Sequence, residues 1–365
     1  MNAFLKIILL STFSFIIQAQ SLEVEREYNS NYYEINDLEV NLTADKITIS
    51  SGKQDIYIEN LPGKKIFKTS PAENYFLIAS HLFSNDKADY PIEIRVFDRN
   101  GNLAFPFRVT APYDLPHQLF NINDFGMLTS FDPMTLKVTV VGDEIFREVE
   151  LEKDIPFEME KAAFTEITED FLFVLTSQKA LDITEEANNA VLYRINLNDL
   201  SIYKKELDYN TPTLLKMIGG NLIVSGVKFE NLKPVGKTIK FNLELNQLAS
   251  NDKIIEKIIN LEDKLYVKYF NTVYQLEKDL SIANHHIMSG DERISDIGIT
   301  NDRVIVFTHV SDKTSLYFLF LDLSMDFKYS LDIFEISKTE NFSIRQNHVL
   351  IRHDSRSVKL KTNRN

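Results

Sequence analysis

The 365-residue chain reads as an all-β repeat protein, and three observations point to a β-propeller. A short turn of Asp, Asn or Gly runs repeatedly into a nearly solid apolar segment. Each such segment is followed by one in which apolar and polar residues alternate. The copies recur at roughly the 40–50-residue period of a four-stranded blade.

The turn residues are Asp45 before KITISS, Asn74 before YFLIAS, Asp124 before FGMLTS and Asp170 before FLFVLTS. The series continues with Gly220 before NLIVSG, Asp263 before KLYVKY, Asp302 before RVIVFTH and Asn347 before HVLIRH. Asp, Asn and Gly tolerate the left-handed backbone that a tight hairpin needs. An apolar run without a polar side fits a strand covered on both faces. The next strand alternates, as in Ile92, Ile94 and Val96 against Glu93 and Arg95. Likewise Ile239, Phe241, Leu243 and Leu245 alternate with Lys240, Asn242 and Glu244. Period two with one polar side marks a half-buried strand. A second hairpin closes the unit, as in FDRNGNLAF at 97–105 and INLNDLSIY at 195–203. The compact copy from Glu256 to Ile287 predicts strands at 256–261, 264–270, 272–277 and 280–287.

Seven turns from Asn74 to Asn347 give seven four-stranded blades, with six or eight as alternatives, because Asp45 precedes Asn74 by only 29 residues. The last copy has chain for three strands, ending near SVKLKT. An N-terminal strand, YYEI or LEVNL, is expected to supply the fourth and close the ring, which removes an unpaired sheet edge. A transmembrane barrel needs strands of about 9–11 residues with a lipid-facing apolar side, and the short, two-sided apolar runs do not fit it. The regular spacing favours a ring over a string of sandwiches.

The first residues, MNAFLKIILLSTFSFIIQA, place Lys6 before an apolar stretch and small Ala19 at a cleavage position. Residues 1–19 therefore read as a signal peptide, 20–38 as a lead-in with the closing strand, and 39–365 as the propeller. No later run is apolar and long enough for a membrane helix. The chain has no cysteine, which excludes disulfides, thiolate metal sites, thiol nucleophiles and a lipidated N-terminus. The expected location is the periplasm or the extracellular space. With 53 acidic against 40 basic residues and a net charge of −13, nucleic acid is not an expected partner.

Through this repeat architecture, across residues 39–362, the chain resembles the secreted bacterial β-propeller proteins. The Trp-Asp ending, the kelch Gly-Gly and the aspartate box are absent, and the chain has no tryptophan, unlike the quinone-cofactor propellers with tryptophan docking motifs. The resemblance implies a fold, and it carries over neither a functional residue nor a cofactor.

Insertions gather at one end of the blades: HLFSNDKADYP at 81–91, SQKALDITEEANN at 177–189 and VKFENLKPVGK at 227–237. Insertions on one face of a repeat protein mark a binding face. Three histidines fall near that rim, His81 and His309 seven residues after their turns and His353 six after its own. Imidazole suits metal binding or proton transfer. The loop acids Asp86, Asp89, Glu185 and Glu186 could serve glycoside hydrolysis if held about 5–9 Å apart, or bind calcium, although a solvated acidic loop has the same composition. His285 and His286 fall on an outer strand and point to opposite faces. DRNGN at 98–102 echoes a calcium loop but lacks the closing glutamate, and it reads as a hairpin turn. No metal site follows, and no nucleophile elbow, phosphate loop or His-Glu-x-x-His pair occurs. The expected function is an exported, non-enzymatic binding or scaffold protein that holds a protein or glycan ligand on the loop-bearing face. The alternative is a propeller-type enzyme acting on glycans or peptides with His and carboxylate groups near the channel mouth.

Overall fold

The computed structural model describes residues 23–361 except 29, 36, 44–45, 62–63, 83–89, 112–118, 133–135, 143–144, 152–162, 177–188, 231–232, 301, 311–312, 332–340, 346–347 and 354–355. Its elements are all strands, beginning with β1 (Glu23–Tyr28). The first sheet is β2 (Asn31–Ile35), β3 (Leu38–Leu42), β4 (Lys46–Ser51) and β5 (Gln54–Asn60). The second is β6 (Lys64–Pro71), β7 (Tyr75–Leu82), β8 (Tyr90–Asp98) and β9 (Leu103–Ala111). The third is β10 (Leu119–Ile122), β11 (Leu128–Asp132), β12 (Lys137–Gly142) and β13 (Ile145–Glu150). The fourth is β14 (Ala163–Ile167), β15 (Phe171–Thr176), β16 (Val191–Asn196) and β17 (Ile202–Glu206). The fifth is β18 (Thr211–Ile218), β19 (Asn221–Glu230), β20 (Lys233–Phe241) and β21 (Gln247–Asn251). The sixth is β22 (Lys257–Leu261), β23 (Lys264–Tyr269), β24 (Thr272–Leu276) and β25 (Ile282–Ile287). The seventh is β26 (Arg293–Ile299), β27 (Arg303–Val310), β28 (Lys313–Phe320) and β29 (Met325–Leu331). The eighth joins β30 (Asn341–Arg345), β31 (His348–His353) and β32 (Arg356–Lys361) to β1, in the order β1-β32-β31-β30.

Seven of the sheets are antiparallel meanders and the eighth is a three-stranded meander completed by β1; burial falls from the inner to the outer strands. The second strands are almost wholly buried, as in β11 and β15, while the fourth strands β5, β13, β17 and β25 are mostly exposed. This gradient is what eight sheets packed side by side produce, and the arrangement is consistent with a β-propeller. Seven apolar clusters hold the sheets together, each spanning two consecutive sheets, from Ile49 with Phe76 between the first and second to Phe307 with Val349 between the seventh and eighth.

The structure adds one sheet to the preferred count of seven. The turn before the second strand of the first sheet is at Asp37, ahead of LEVNL, whereas Asp45 precedes the third strand, KITISS. Val40, Ile47 and Ile49 are all fully buried, so two neighbouring strands carry the same apolar signal and the wrong one sets the register of the first copy. The strand that completes the eighth sheet is EVEREY, paired through Glu23–Lys361 and Tyr28–Ser357, while YYEI and LEVNL belong to β2 and β3. In the compact sixth sheet, all four strands lie within the segments expected from the sequence.

The insertion at 227–237 is also different from a loop. It continues the β19–β20 ladder out to the Glu230–Lys233 pair. Two glycines make room for the chain on either side: a Cβ on Gly226 would lie 2.2 Å from the Tyr209 ring, and one on Gly236 would lie 2.1 Å from Ile254 Cγ1. DRNGN is the expected hairpin. Asp98 Oδ1 accepts hydrogen bonds from the Asn100 and Asn102 amides at 2.8 and 2.9 Å, and Gly101 takes φ +85. Burial works against the Asp98 charge, but the hydrogen bonds from Asn102, Asn100 and Gly101 hold its carboxyl below the ordinary range.

Candidate functional site

The site begins with an irregularity in β26. Its pairing with β27 shifts register between Ile294 and Asp296, so Ser295 sits in a bulge. The extra residue of a bulge re-aims side chains, and the Ser295 hydroxyl stands 2.6 Å from Nδ1 of exposed His309 on β27. The inner strands β6 and β18 shift register at the equivalent places, at Phe67 and Thr213. Thr213 donates to the Ile255 carbonyl at 2.7 Å, so the repeat's bulge holds a neighbouring connection there and faces a histidine in the seventh sheet.

Charged residues flank the bulge along the strands. Arg293 lies directly opposite His309 in the ladder, and its guanidinium carbon is 5.0 Å from the Phe270 ring centroid. Phe270 occupies the β23–β24 turn with φ +54, and its carbonyl accepts the Ile294 amide at 3.0 Å, which fixes the turn against β26. Lys268 donates to the Ile294 carbonyl at 3.2 Å and pairs with Glu256 at 3.2 Å. Lys257 pairs with Asp296 across the sheet boundary. Ser295 and His309 thus sit at the edge where the sixth and seventh sheets meet, at the end of β27 that leads into the β27–β28 connection.

The other histidine candidates lie on other sheets. His81 is buried on β7 in the second sheet, at 8% exposure. His353 ends β31 in the eighth sheet. Asp86, Asp89, Glu185 and Glu186 lie outside the described residues. Among the described residues, no group of three or more His, Asp or Glu side chains could hold a metal ion. His285 and His286 are on the outer strand β25, and His285 lies 6.1 Å from the Tyr274 ring. Ser295 carries no signal in the sequence: it follows Ile294 in an ordinary strand pattern, and only the bulge brings it to His309.

A separate cleft of about 290 Å³ opens between the second and third sheets. Phe107, Phe146, Ser130 and Asp132 line it, together with the Lys137–Glu148 pair at 2.8 Å. Its polar groups are absorbed by cross-strand pairing, since Thr139 also donates to Glu148 at 3.3 Å.

No family model and no curated protein matches the chain. Solved structures of similar outline are propeller-like. An apocarotenoid oxygenase of Synechocystis shares 8% identity over 83% of this chain and 71% of its own, with a TM-score of 0.42. Hsv2 of Kluyvelomyces marxianus shares 13% over 86% and 100%, at 0.44. The acylaminoacyl peptidase of Pyrococcus horikoshii shares 11% over 81% and 50%, at 0.48. At these values the likeness concerns the outline of the fold alone. An oxygenase and a peptidase stand among these chains, whereas the sequence had led to the expectation of a non-enzymatic binding or scaffold protein, a reading that rested on the lack of catalytic motifs.

Among the described residues, no helix is long and apolar enough to cross a membrane.

Proposed function

We propose that the eight sheets close into an eight-bladed propeller and that the chain is an enzyme cleaving a peptide or ester bond at the mouth of the ring. Ser295 is the nucleophile and His309 the base. The single observation that carries the reading is the 2.6 Å contact between Ser295 Oγ and His309 Nδ1. A serine hydroxyl is a weak nucleophile until a base within about 2.6–3.2 Å takes its proton. Of the two substrate classes named by the sequence, the Ser–His pair suits peptides, because glycoside hydrolysis uses two facing carboxylates.

The chemistry balances as ordinary acyl transfer. With the imidazole proton on Nε2, Nδ1 takes the Ser295 proton as Oγ bonds to the substrate carbonyl carbon and the carbonyl oxygen becomes an oxyanion. The oxyanion collapses, the bond to the leaving group breaks, and His309 gives that group its proton. Water then attacks the acyl-serine, His309 accepts the water's proton, and the Oγ–carbon bond breaks with return of the proton to Ser295.

Ring closure is supported by the contact between the last and first sheets. Ser357 on β32 accepts the Tyr32 amide at 3.1 Å and donates to the Ser30 carbonyl at 2.9 Å, and Lys359 reaches Glu34 at 3.0 Å. Export through residues 1–19 belongs to the same proposal, and N-terminal sequencing of the protein from a periplasmic or culture fraction tests it.

A fluorophosphonate probe tests the chemistry. It is expected to label Ser295 in the intact chain, as located by peptide mass spectrometry, and to lose that labelling in His309→Gln. No label at Ser295, or equal labelling in His309→Gln, overturns the assignment.

A further inference from the structure

We infer that Arg293 is the recognition residue for a carboxylate on the substrate, so that the site takes acidic acyl compounds or peptides cut close to a carboxylate. This rests on the Ser295–His309 reading for the cleavage step, while the binding step stands on its own geometry. Arg293 is the exposed first residue of β26, directly opposite His309 and two residues before Ser295. Side chains at i and i+2 of a strand share a face, about 6–7 Å apart along it, and directly opposed side chains share it too. The bulge falls within this interval and turns Ser295 toward the same histidine. Arg293, His309 and Ser295 are therefore neighbours in the β26–β27 ladder.

The guanidinium has no carboxylate partner among the described residues, and its contact there is the face of the Phe270 ring. Arg95 and Arg303, by comparison, each hold two carboxylates, while Arg194 stacks on Phe171 and Tyr203 and donates to the Leu243 carbonyl. In an acidic chain of net charge −13, an exposed arginine oriented by a ring and left without an acid is an anion receptor. Its planar fork matches a carboxylate in two parallel hydrogen bonds, a geometry that a lysine ammonium does not reproduce. The half-exposed Phe270 ring, at 49%, adds an apolar wall beside that fork. A carboxylate seated on Arg293 would be the C-terminus of a peptide cut close to its end, or an acidic side chain next to the cut bond.

The probes are N-acetyl-Ala-Ala with a free C-terminus, the same peptide as its C-terminal amide, and N-acetyl-Ala-Glu-Ala-amide. Binding is measured by calorimetry on the full-length Ser295→Ala protein, which cannot turn them over. The free acid is expected to bind at least tenfold tighter than the amide. Arg293→Gln should erase that difference, and Phe270→Leu should reduce it. If the glutamyl peptide is instead the tight binder, and loses that advantage in Arg293→Gln, the carboxylate comes from a side chain. Equal binding of all three probes, or a preference unchanged in Arg293→Gln with a native circular dichroism spectrum, overturns the inference. The two readings separate cleanly. Fluorophosphonate labelling of Ser295 without a carboxylate preference removes Arg293's role alone, and an Arg293-dependent preference without labelling removes the cleavage chemistry alone.

Discussion

At the scale of single residues, two buried arrangements give measurable consequences. Gly226 has the fully buried Tyr209 ring where its Cβ would be, so Gly226→Ala overpacks a rigid contact and is expected to cost about 1–3 kcal/mol in urea unfolding. Adding Tyr209→Leu should return part of the loss, since neighbours in contact are not additive. Strict additivity of the two changes would show that the ring does not set the limit. The second arrangement surrounds Arg95, which is 6% exposed and bonds Glu59 through two nitrogens, Glu93 at 3.2 Å and the Ser80 hydroxyl at 3.2 Å. Tyr57 donates to Glu59 at 2.6 Å, and burial followed by that carboxylate pushes its phenol up to about 12. A phenol harder to ionise in the folded state binds more protons there than in the unfolded chain. Stability should therefore decline as pH rises from the ordinary tyrosine range, about 10, toward about 12. Glu59→Gln should lower the Tyr57 midpoint in a spectrophotometric titration at alkaline pH. A midpoint unmoved by the substitution would assign the shift to burial alone. Neither arrangement was legible in the sequence. Arg95 stands there as the polar residue of an alternating strand, and only the neighbouring sheet supplies Glu59.

At the scale of elements, the hairpins between third and fourth strands share a design. Leu200, Leu245, Leu280 and Leu323 all take positive φ, between 58 and 69, where Gly101 sits in the second sheet. Each closes a short turn: Leu245, Leu280 and Leu323 donate to the carbonyls of Asn242, Glu277 and Phe320 at 2.8–3.0 Å. A leucine in this region costs about 1–2 kcal/mol relative to the right-handed backbone, and burial of its side chain offsets that. Leu245, Leu280 and Leu323 are buried to 2% exposure or less, whereas Leu200 is half-buried. Leu280→Gly should therefore destabilise, since losing a buried leucine costs about 2–5 kcal/mol against at most a small relief of strain. Leu200→Gly should be close to neutral. Guanidinium unfolding of the pair checks this, and equal losses would remove burial as the reason for leucine here. The sequence showed these hairpins through their polar residues, as in INLNDLSIY, because alternation and turn chemistry are local. It did not show the left-handed leucines, because their reason is contact with the preceding sheet. The same division explains the site: His309 was visible as the end of an apolar run, and Ser295 was not, since a bulge depends on two strands.

At the scale of the whole molecule, the contact between the eighth and first sheets carries a set of polar groups. Glu34 on β2 receives Lys359 at 3.0 Å, His348 at 2.8 Å and the Tyr32 hydroxyl at 3.1 Å, and buried Ser357 ties the Tyr32 amide to the Ser30 carbonyl. If the sheets close into the proposed ring, directional hydrogen bonds would fix the register of this junction where a featureless apolar face would allow slippage. Burial opposes the Glu34 charge, but the hydrogen bond and charge of Lys359 and the His348 ring hold its carboxyl below the ordinary range. A carboxyl with a lowered folded value stabilises the protein above its unfolded value, and that contribution disappears as pH falls through the folded one. Glu34→Gln should therefore weaken the protein at neutral pH and flatten the acid limb of its stability curve. Ser357→Ala should cost about 1–3 kcal/mol at every pH, because it strands a buried amide and a carbonyl. Deleting residues 23–28 goes further, since it strips β1 from β32 and leaves a sheet edge open to pairing with another chain. Size-exclusion chromatography with light scattering should then show concentration-dependent association that the point variants lack. A monomeric, normally stable deletion variant would mean that β1 is dispensable to the eighth sheet.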